Sequence, residues 1–370
     1  MTEAATAATP LSQLRRWMSG RRIEAAYITR PVSIAYLTGV HAEPMERLMA
    51  LAVRDTGATL IVPAIEHQNA SIHVRGAEVV GWRDGEDPYA QVAQALTGCV
   101  EVAVEKEHLS LHAAEVITSR TGVSELVDVG PEIRRLRTVK QPEEIDRLAR
   151  AAAITDAATD EVLGRVRAGQ TELEVAVMLG SAIAEQGGML AFGTLVQSGP
   201  NSALPHALPS GRRLGPGDFV LFDFGAAFEG YKADTTRMAV VGEPSSRHAE
   251  IHRVVLEAHD AAIAAVRPGV TTGEVDAAAR RIIEAAGYGD RFFHRTGHGL
   301  GLEAHEAPNL DPGSEVVLEP GMVFTVEPGI YIPGWGGVRI EDDVVVQDAK
   351  DGGRRVLTKA DRSLRIIPPR

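Results

Sequence analysis

The second half of this chain contains the same ten-residue pattern twice, and this duplication constrains the fold more than any other feature. VRAGQTELEV begins at Val166 and VRPGVTTGEV begins at Val266, and six of the ten positions are identical. Beyond each copy, a proline-glycine pair ending at Gly217 or Gly321 leads into an apolar, β-prone segment. Such a repeat predicts that the order helix, helix, hairpin occurs twice.

Each copy also supplies two acidic residues. The sixth residue after the glycine is Asp223 in the first copy and Glu327 in the second, and a further acid follows beyond a turn, at Asp234 and Glu341. Because the first turn falls at 229–230, we expect Asp223 and Asp234 to lie nearly opposite each other on paired strands, with Cβ atoms about 5 Å apart. The second pair has the same arrangement about its own turn, so four carboxylates are expected to converge.

Four carboxylates in apolar surroundings repel one another and must either take up protons or bind cations. Two divalent cations would balance the negative charge of all four groups. A single acidic hairpin would also fit an ordinary exposed pair of acids, but two related hairpins favour a site for two divalent metal ions.

Histidines precede the first hairpin and lie between the two. His294, His298 and His305 fall within one glycine-rich run, and His206 and His305 each begin an H-x-x-P sequence. Glycines on both sides of His298 allow the backbone to approach a cluster closely. An imidazole among oxygen ligands favours Mn, Co, Fe or Zn over Ca or Mg.

The first 136 residues differ in organisation from the rest of the chain. Helical and strand-like segments alternate there, which predicts an α/β domain. A proline-led helix start at Pro142 puts a domain boundary close by. We therefore expect an N-terminal domain over residues 1–136 and a catalytic domain over residues 137–370.

Composition argues against several classes of function. The net charge is −12 without a sustained basic run, which argues against nucleic acid and membrane surfaces as partners. The single cysteine, Cys99, excludes an intrachain disulfide and a thiolate metal cluster. No apolar stretch approaches the roughly 18 residues of a membrane span, and no signal peptide is recognisable. A cytoplasmic location is therefore expected.

Five motifs of the second half resemble those of the creatinase/aminopeptidase P/prolidase family of metallopeptidases. They are DFGA at Asp223, ADTTR around Asp234, HRTGHGLG around His298, VEPGIY at Glu327 and GVRIED at Glu341. The segment YLTG at 36–39 also resembles the N-terminal domain of that family, so the likeness covers the whole chain. The resemblance implies a creatinase-like α/β N-terminal domain followed by an α+β pita-bread catalytic domain with an internal pseudo-twofold repeat.

The same resemblance implies five metal ligands, which are Asp223, Asp234, His298, Glu327 and Glu341. In family members, the residues corresponding to Asp234 and Glu341 bridge two ions that share a hydroxide, and the residue corresponding to Glu327 lies beside it as the proton shuttle. The implied cofactor is therefore two divalent metal ions. Mn or Co is the expected metal, with Zn or Fe as alternatives.

The resemblance also suggests roles for other polar residues near these motifs. His305 is assigned to the carbonyl oxygen of the reaction intermediate, His206 to the side of the leaving nitrogen, and His294 to the prolyl pocket. Arg339 is expected to orient a bridging carboxylate.

The implied activity is that of a dinuclear-metal peptidase that cleaves the Xaa-Pro bond of small peptides with proline at the second position. An aminopeptidase P, acting on longer peptides, and a prolidase, acting on dipeptides, both remain open, and Asn309 stands where compact dipeptidases often have an arginine. A related C–N hydrolase or lyase acting on a small metabolite is the alternative enzyme, and a non-enzymatic binding module is a third interpretation. Relatives are commonly dimers, so a homodimer is expected.

Overall fold

The computed structural model describes residues 9–369. The chain divides into two compact units, and the division falls between Arg137 and Thr138. Across residues 9–369, no helix combines the length and the apolar character that crossing a membrane requires.

The N-terminal unit is built around one mixed sheet. Its strands are β1 (Ala25–Ile28), β2 (Ala50–Arg54), β3 (Gly57–Pro63), β4 (Glu78–Trp82), β5 (Glu101–Val104) and β6 (Glu125–Asp128). They lie in the order β4-β3-β2-β1-β5-β6, with β1 antiparallel to β2 and parallel to β5. The helices of this unit are α1 (Pro10–Arg21), α2 (Pro31–Thr38), α3 (His67–His73), α4 (Pro88–Ala95), α5 (Leu111–Arg120) and α6 (Gly130–Thr138).

Apolar cores lie on both faces of this sheet, because successive strand residues point to opposite sides. On β2, Leu51 and Val53 belong to the core that includes residues of α1, α2 and α6. Ala50 and Ala52 belong to the core that includes residues of α4 and α5. A mixed sheet buried on both faces confirms the α/β architecture predicted for the first part of the chain.

The C-terminal unit has two helices followed by strands, and then the same order again. Its helices are α7 (Pro142–Leu163), α8 (Glu172–Glu185), α9 (Ser246–Ala265) and α10 (Thr272–Ala285). Strands of the first half are β7 (Met189–Leu190), β8 (Leu195–Ser198), β9 (Phe219–Phe224), β10 (Ala226–Phe228), β11 (Tyr231–Lys232) and β12 (Thr235–Val241). Strands of the second half are β13 (His298–Gly299), β14 (Glu306–Asn309), β15 (Val323–Val326), β16 (Gly329–Ile332), β17 (Gly336–Arg339), β18 (Asp342–Val346), β19 (Arg354–Val356) and β20 (Arg365–Ile367).

The repeated ten-residue pattern forms the same helix start in both halves. Thr171 and Thr271 are the N-caps of α8 and α10, and each hydroxyl accepts a hydrogen bond from the backbone N–H three residues later. The glutamates there reach back to the N-cap N–H groups, at 2.6 Å for Glu174 and 2.7 Å for Glu274. Both halves therefore contain a capping box, which explains why threonine and glutamate recur at these positions.

The first hairpin lies at the centre of a four-stranded sheet with the order β20-β12-β9-β8. On β9, Val220 and Phe222 pack into the core that includes residues of α7 and α8. Phe219 and Leu221 pack on the other side, in the core that includes residues of α9 and α10. Strand alternation places Asp223 on that second side as well. Its carboxylate is thus held within an apolar interior rather than at the surface.

The second half forms a five-stranded sheet with the order β14-β13-β15-β18-β19 and the separate two-stranded ribbon β16-β17. β13 carries His298, while β15 and β16 flank Glu327, and β17 and β18 flank Glu341. The candidate ligands of this half therefore lie on strands or at strand ends.

Candidate metal centre

Asp223 and Asp234 come from the first hairpin, but they do not lie opposite each other as predicted. In the ladder of β9 and β12, Asp223 is opposite Thr236, and Asp234 falls just before β12. The two-residue turn at 229–230 explains the difference, because it pairs Phe228 with Tyr231. Turn geometry fixes the register of a hairpin. The predicted register was wrong by two residues, and the two acids are diagonal neighbours.

Glu327 and Glu341 come from the second hairpin, at the junction of two ladders. The ladder of β15 and β18 ends with Val326 opposite Asp342, and the ladder of β16 and β17 continues in the same register. This register places Glu327 across from Glu341, as predicted. The carboxylates of this pair therefore occupy facing positions where the strands are interrupted.

A bridge between Thr236 and Glu341 joins the two hairpins. The hydroxyl of Thr236 donates to Glu341 Oε2 at 2.6 Å. Thr325 has a similar position beside the other glutamate, with its hydroxyl 3.2 Å from Glu327 Oε1. The Thr325 hydroxyl also accepts a hydrogen bond from the backbone N–H of His298 at 3.1 Å. Sequence reasoning missed both threonines, although their alternation with the acids along the strands was a usable signal.

His298 adds an imidazole to the carboxylates. Its Nε2 lies 3.3 Å from Glu327 Oε1 and 3.9 Å from Asp234 Oδ2. One ligand atom from each of Asp234, His298 and Glu341 lies within 4.8 Å of the others, and all three residues are buried. The Nδ1 is 3.2 Å from the carbonyl oxygen of Gly299. That contact assigns the proton to Nδ1, so Nε2 directs its lone pair towards the carboxylates.

Burial controls the protonation of this cluster. It raises the pKa of Asp234 and of Glu341 well above the ordinary range, and the negative charges of neighbouring carboxylates raise both further. Burial also raises the pKa of Glu327 to about 7, although the nearby charge of Arg339 opposes the shift. Burial lowers the pKa of His298 to about 3, so this imidazole is neutral at neutral pH.

The side chains of this cluster fit divalent cations. Asp234 Oδ1 is buried and has no hydrogen-bond partner in residues 9–369, and the free Nε2 of His298 faces carboxylate oxygens that are acceptors too. Buried acceptors that face one another are unfavourable unless a proton or a cation lies between them. Carboxylate oxygens with an imidazole nitrogen form a donor set suited to first-row divalent metals.

Arg339 lies against the cluster and contacts three of its carboxylates, including Glu341, one of the two predicted bridging residues. Its guanidinium donates to Asp223 Oδ2, whereas its Nε lies 3.9 Å from a carboxylate oxygen of both Glu327 and Glu341. The same Nε donates to the hydroxyl of Thr236 at 2.9 Å. Burial raises the pKa of Asp223, and the positive charge of Arg339 limits that rise.

A chain of hydrogen bonds connects Arg339 with His294. Arg339 Nη1 donates to the Tyr331 hydroxyl at 3.2 Å, and that hydroxyl lies 2.9 Å from His294 Nε2. His294 Nδ1 is 2.7 Å from the carbonyl oxygen of Arg295, so Nδ1 carries the proton and Nε2 accepts from Tyr331. Burial lowers the pKa of His294 to about 4. Tyr331 belongs to the VEPGIY motif, but no role was predicted for it.

His305 and His206 lie next to the buried cluster, and both are exposed. The rings of His305 and His298 have centroids 3.8 Å apart and planes tilted by 34°. His206 follows the short 3-10 helix Gly199–Ala203. Burial lowers the pKa of His305, and the neighbouring Arg295 and His206 lower it further. The structure thus brings every predicted site residue to one place: Asp223, Asp234, His298, Glu327, Glu341, His206, His294, His305 and Arg339.

Sequence models of two protein families match the chain. Residues 146–348 match metallopeptidase family M24, and residues 10–139 match the creatinase/prolidase N-terminal domain. The first match alone covers more than half of the chain. Together they confirm the expected creatinase-like N-terminal domain and the pita-bread catalytic domain.

Known proteins resemble the chain over nearly its whole length. The Xaa-Pro dipeptidase of Lactobacillus helveticus is 39% identical over 368 residues, which cover 97% of this chain and 99% of that protein. The structure of the Xaa-Pro dipeptidase from Bacillus anthracis has a TM-score of 0.89 at 36% identity, over 96% of this chain and 99% of that one. The X-Pro aminopeptidase from Thermotoga maritima MSB8 has a TM-score of 0.88 at 34% identity, with the same coverage. By motifs, fold and near full-length similarity, the chain belongs to metallopeptidase family M24.

Proposed function

We propose that this protein is a metal-dependent Xaa-Pro dipeptidase, which hydrolyses the bond preceding proline in small peptides. The observation that carries the proposal is the buried cluster of four carboxylates and one imidazole, with three further histidines beside it. Two of the similar proteins, those of Lactobacillus helveticus and Bacillus anthracis, are named for this activity.

In this proposal Asp223, Asp234, His298, Glu327 and Glu341 would hold two divalent ions. When bound, such ions polarise the scissile carbonyl group and activate water for attack at neutral pH. Mn or Co is the metal that we favour, with Zn or Fe as alternatives, because the donor set combines oxygen atoms with one imidazole nitrogen.

Glu327 is the carboxylate suited to accepting and returning a proton. Burial brings its pKa to about 7 when the cluster stands alone. Neighbouring cations favour the ionised form, so the carboxylate is free to take a proton from the attacking water. The same group can then pass that proton towards the departing amine.

The three other histidines act on the peptide itself. His305, beside His298, donates a hydrogen bond to the substrate carbonyl oxygen as negative charge develops there. His206 assists protonation of the proline nitrogen, which has no N–H in the peptide and must gain a proton to leave. His294, held by the Tyr331 hydroxyl, lines the pocket of the proline ring.

Substrate length is a separate part of the proposal. We favour dipeptides because two of the similar proteins are named as dipeptidases. Cleavage of longer peptides, as in an aminopeptidase P, is the second candidate. Asn309 favours it, since compact dipeptidases often have an arginine there, and the Thermotoga maritima relative is named an X-Pro aminopeptidase.

We also propose that residues 1–136 act as an N-terminal domain and residues 137–370 as the catalytic domain. Two copies of the chain are proposed to form a homodimer, and its proposed location is the cytoplasm. The single cysteine agrees with a reducing compartment. Burial of exposed apolar side chains would favour association of copies, and those exposed on the catalytic unit include Leu173, Val177, Met189, Leu190, Leu204 and Leu208. Light scattering tests the assembly, since a dimer has twice the chain mass of 39.5 kDa.

Product release from defined peptides tests the proposed activity. The protein loaded with Mn²⁺ is incubated with Gly-Pro, with Gly-Pro-Gly and, as a control without an Xaa-Pro bond, with Gly-Leu. A dipeptidase releases proline from Gly-Pro alone, whereas an aminopeptidase P also releases glycine from the N-terminus of the tripeptide. If neither Xaa-Pro bond is cut with Mn²⁺ or Co²⁺ present, the peptidase proposal fails and hydrolysis of a small metabolite takes its place.

A further inference from the structure

His206 lies on a loop, and its side chain is exposed. Packing of the imidazole therefore does not hold the loop in place. Within the loop, Leu204 N donates to Asn201 O and Ala207 N donates to Leu204 O, both at 2.9 Å. These two turn bonds shape the loop locally. They do not fix it relative to the strands that carry the candidate metal ligands.

A buried glutamine connects this loop to the sheet. Gln197 lies on β8 with none of its side chain exposed. Its Nε2 donates to the carbonyl oxygens of Pro205 at 3.1 Å and Ala207 at 3.0 Å, which are the residues on either side of His206. In the β8–β9 ladder Gln197 lies two positions from Leu195, the residue opposite Asp223, so it shares the face of that acid.

Burying Gln197 destabilises the fold, which indicates that a glutamine at this position does more than complete strand β8. Its Oε1 is buried and has no hydrogen-bond partner in the part of the chain that the structure describes. An unpaired buried acceptor destabilises a protein by about 1–3 kcal/mol. An apolar residue would avoid that cost in the middle of a buried strand, but it could not hold the two carbonyl groups beside His206.

A buried carboxylate anchors the two ends of the same loop. Glu172, the first residue of α8, is fully buried. Its Oε1 accepts from the backbone N–H and the hydroxyl of Ser198 at 2.8 and 2.7 Å. Its Oε2 accepts from the same two groups of Ser210 at 3.0 and 2.6 Å, and Asn201 Nδ2 bonds both oxygens. The loop is therefore held at both ends by Glu172 and at its apex by Gln197.

From these contacts we infer that Gln197 is a positioning residue for His206, acting on the backbone at both sides of the imidazole. The inference rests on the proposed role of His206 in protonating the proline nitrogen. Gln197 ties the histidine loop to the strand next to the one that carries Asp223. It therefore sets where the imidazole stands relative to the cluster without touching the substrate.

Gln197→Met tests the inference, because methionine has a similar length and no donor. Hydrolysis of Ala-Pro is measured in the Mn²⁺-loaded protein, with metal content and melting temperature as checks on the fold. We expect kcat to fall by about 10- to 100-fold, and by no more than it falls in His206→Ala. The reason is that proton transfer depends on the placement of the His206 imidazole. KM changes less than kcat, because Gln197 does not touch the peptide.

The double variant separates positioning from general damage. If Gln197 acts through His206, adding Gln197→Met to His206→Ala changes kcat by less than about 2-fold, since residues of one unit are not additive. If the two losses multiply, or if Gln197→Met alone leaves kcat unchanged, the inference is overturned. An unchanged kcat in His206→Ala alone instead removes the proposed role of His206, and the inference falls with it.

Gln347 provides a matched control elsewhere in the same unit. When the side-chain amide of Gln347 is oriented to donate, its nitrogen lies 3.3 Å from the carbonyl oxygen of Asp351 and 3.1 Å from that of Arg354. Gln347→Met therefore removes the same kind of contact from a loop without site residues, and it should leave kcat unchanged. If Gln197→Met does not fold, Gln197→Asn keeps the donors on a shorter side chain. The same double-variant comparison then decides.

Discussion

At the scale of single residues, the main feature of the candidate metal centre is that hydrogen-bond acceptor atoms face one another. Asp234 Oδ1 has no hydrogen-bond partner in residues 9–369, and His298 Nε2 lies 3.3 Å from an oxygen of Glu327. Hydroxyl and guanidinium groups, such as those of Thr236 and Arg339, satisfy some of the remaining oxygens. The unsatisfied atoms are the ones that a cation would bind, so the cluster is unfavourable alone and stable when loaded.

Asp234→Asn should weaken metal binding and activity without weakening the stability of the metal-free protein. The variant should retain less metal, and proline release should fall by at least about 100-fold, because the substitution removes a charged ligand. The metal-free variant should nevertheless be at least as stable to heat as the metal-free wild type, since a buried repelling charge is gone. Metal analysis, Ala-Pro assays and calorimetry with and without metal measure these effects.

Asp290 gives the matched control, because it is an exposed acid of the same unit. Asp290→Asn should leave metal content, activity and melting temperature unchanged. Full metal content in Asp234→Asn would show that Asp234 is not a ligand.

The sequence was sufficient to predict which residues meet, because each belongs to a motif. It could not show what holds them. Tyr331 contacts His294 across 37 positions of the chain, and Gln197 contacts the loop of His206 through backbone carbonyl groups. Such contacts depend on the fold and leave no local pattern. Arg339 was predicted to lie beside a bridging carboxylate, and its Nε is 3.9 Å from Glu341, but its hydrogen bond to Asp223 was not predicted.

At the scale of secondary-structure elements, the position of the turn predicted the strand register of the second hairpin but not that of the first. The prediction of Glu327 opposite Glu341 was confirmed by the ladders on both sides of them. The same reasoning failed for the first hairpin, where Asp223 is opposite Thr236. The turn there was located correctly at 229–230, but a two-residue turn requires equal numbers of residues on its two sides, and the two acids do not satisfy that count.

Close backbone approach at Gly297 makes a sharp prediction for the second half. A Cβ at this position would overlap the carbonyl oxygen of Thr325, so Gly297→Ala must shift the strand that carries His298. We expect destabilisation of about 2 kcal/mol or more, together with weaker metal retention. Denaturant unfolding and metal analysis measure both effects.

Gly193→Ala is the control for that substitution, because a Cβ there would meet nothing within 4 Å. It should leave stability and metal retention close to those of the wild type. Equal behaviour of the two variants would contradict the claim that β13 needs glycine for its approach to Thr325.

At the scale of the whole molecule, duplication explains why one buried site can collect so many acids. Each half supplies a capped helix and then a hairpin with two carboxylates, so the same local sequence signals operate twice. The sequence predicted this order because helix caps and turns have local patterns. It did not predict the sheet orders or the splitting of each hairpin into short strands, since both depend on packing between distant segments.

The buried carboxylates predict an unusual pH dependence for the metal-free protein. The folded pKa of Glu327, about 7, lies above its ordinary value of 4.5, and burial also raises the pKa values of Asp234 and Glu341 well above their ordinary values. Between the ordinary and the raised pKa values of these carboxyl groups, the folded state binds more protons than the unfolded state. The free energy of unfolding therefore falls as the pH rises across that range. His294 acts in the opposite direction, but only up to its ordinary value of 6.5.

Unfolding of the metal-free protein between pH 6.5 and 8 checks this sign. We expect the free energy of unfolding to fall, with a slope of roughly 1.4 kcal/mol per pH unit for each proton involved. The fall should disappear in the Mn²⁺-loaded protein, whose carboxylates are ionised in the folded state. A metal-free protein whose stability rises with pH over this range would contradict the assignment of buried, mutually repelling acids.

We propose that the cluster formed by the two hairpins and His298 works only with divalent metal. The rate of proline release from Ala-Pro tests this when it is measured on one preparation before metal removal, after removal to below about 0.1 ion per chain, and after reloading with Mn²⁺. Removal of the metal should abolish about 99% of the rate or more, which is roughly the 100-fold loss expected when the metal site is disrupted, and reloading should restore it. An undiminished rate in the verified metal-free protein would contradict this proposal.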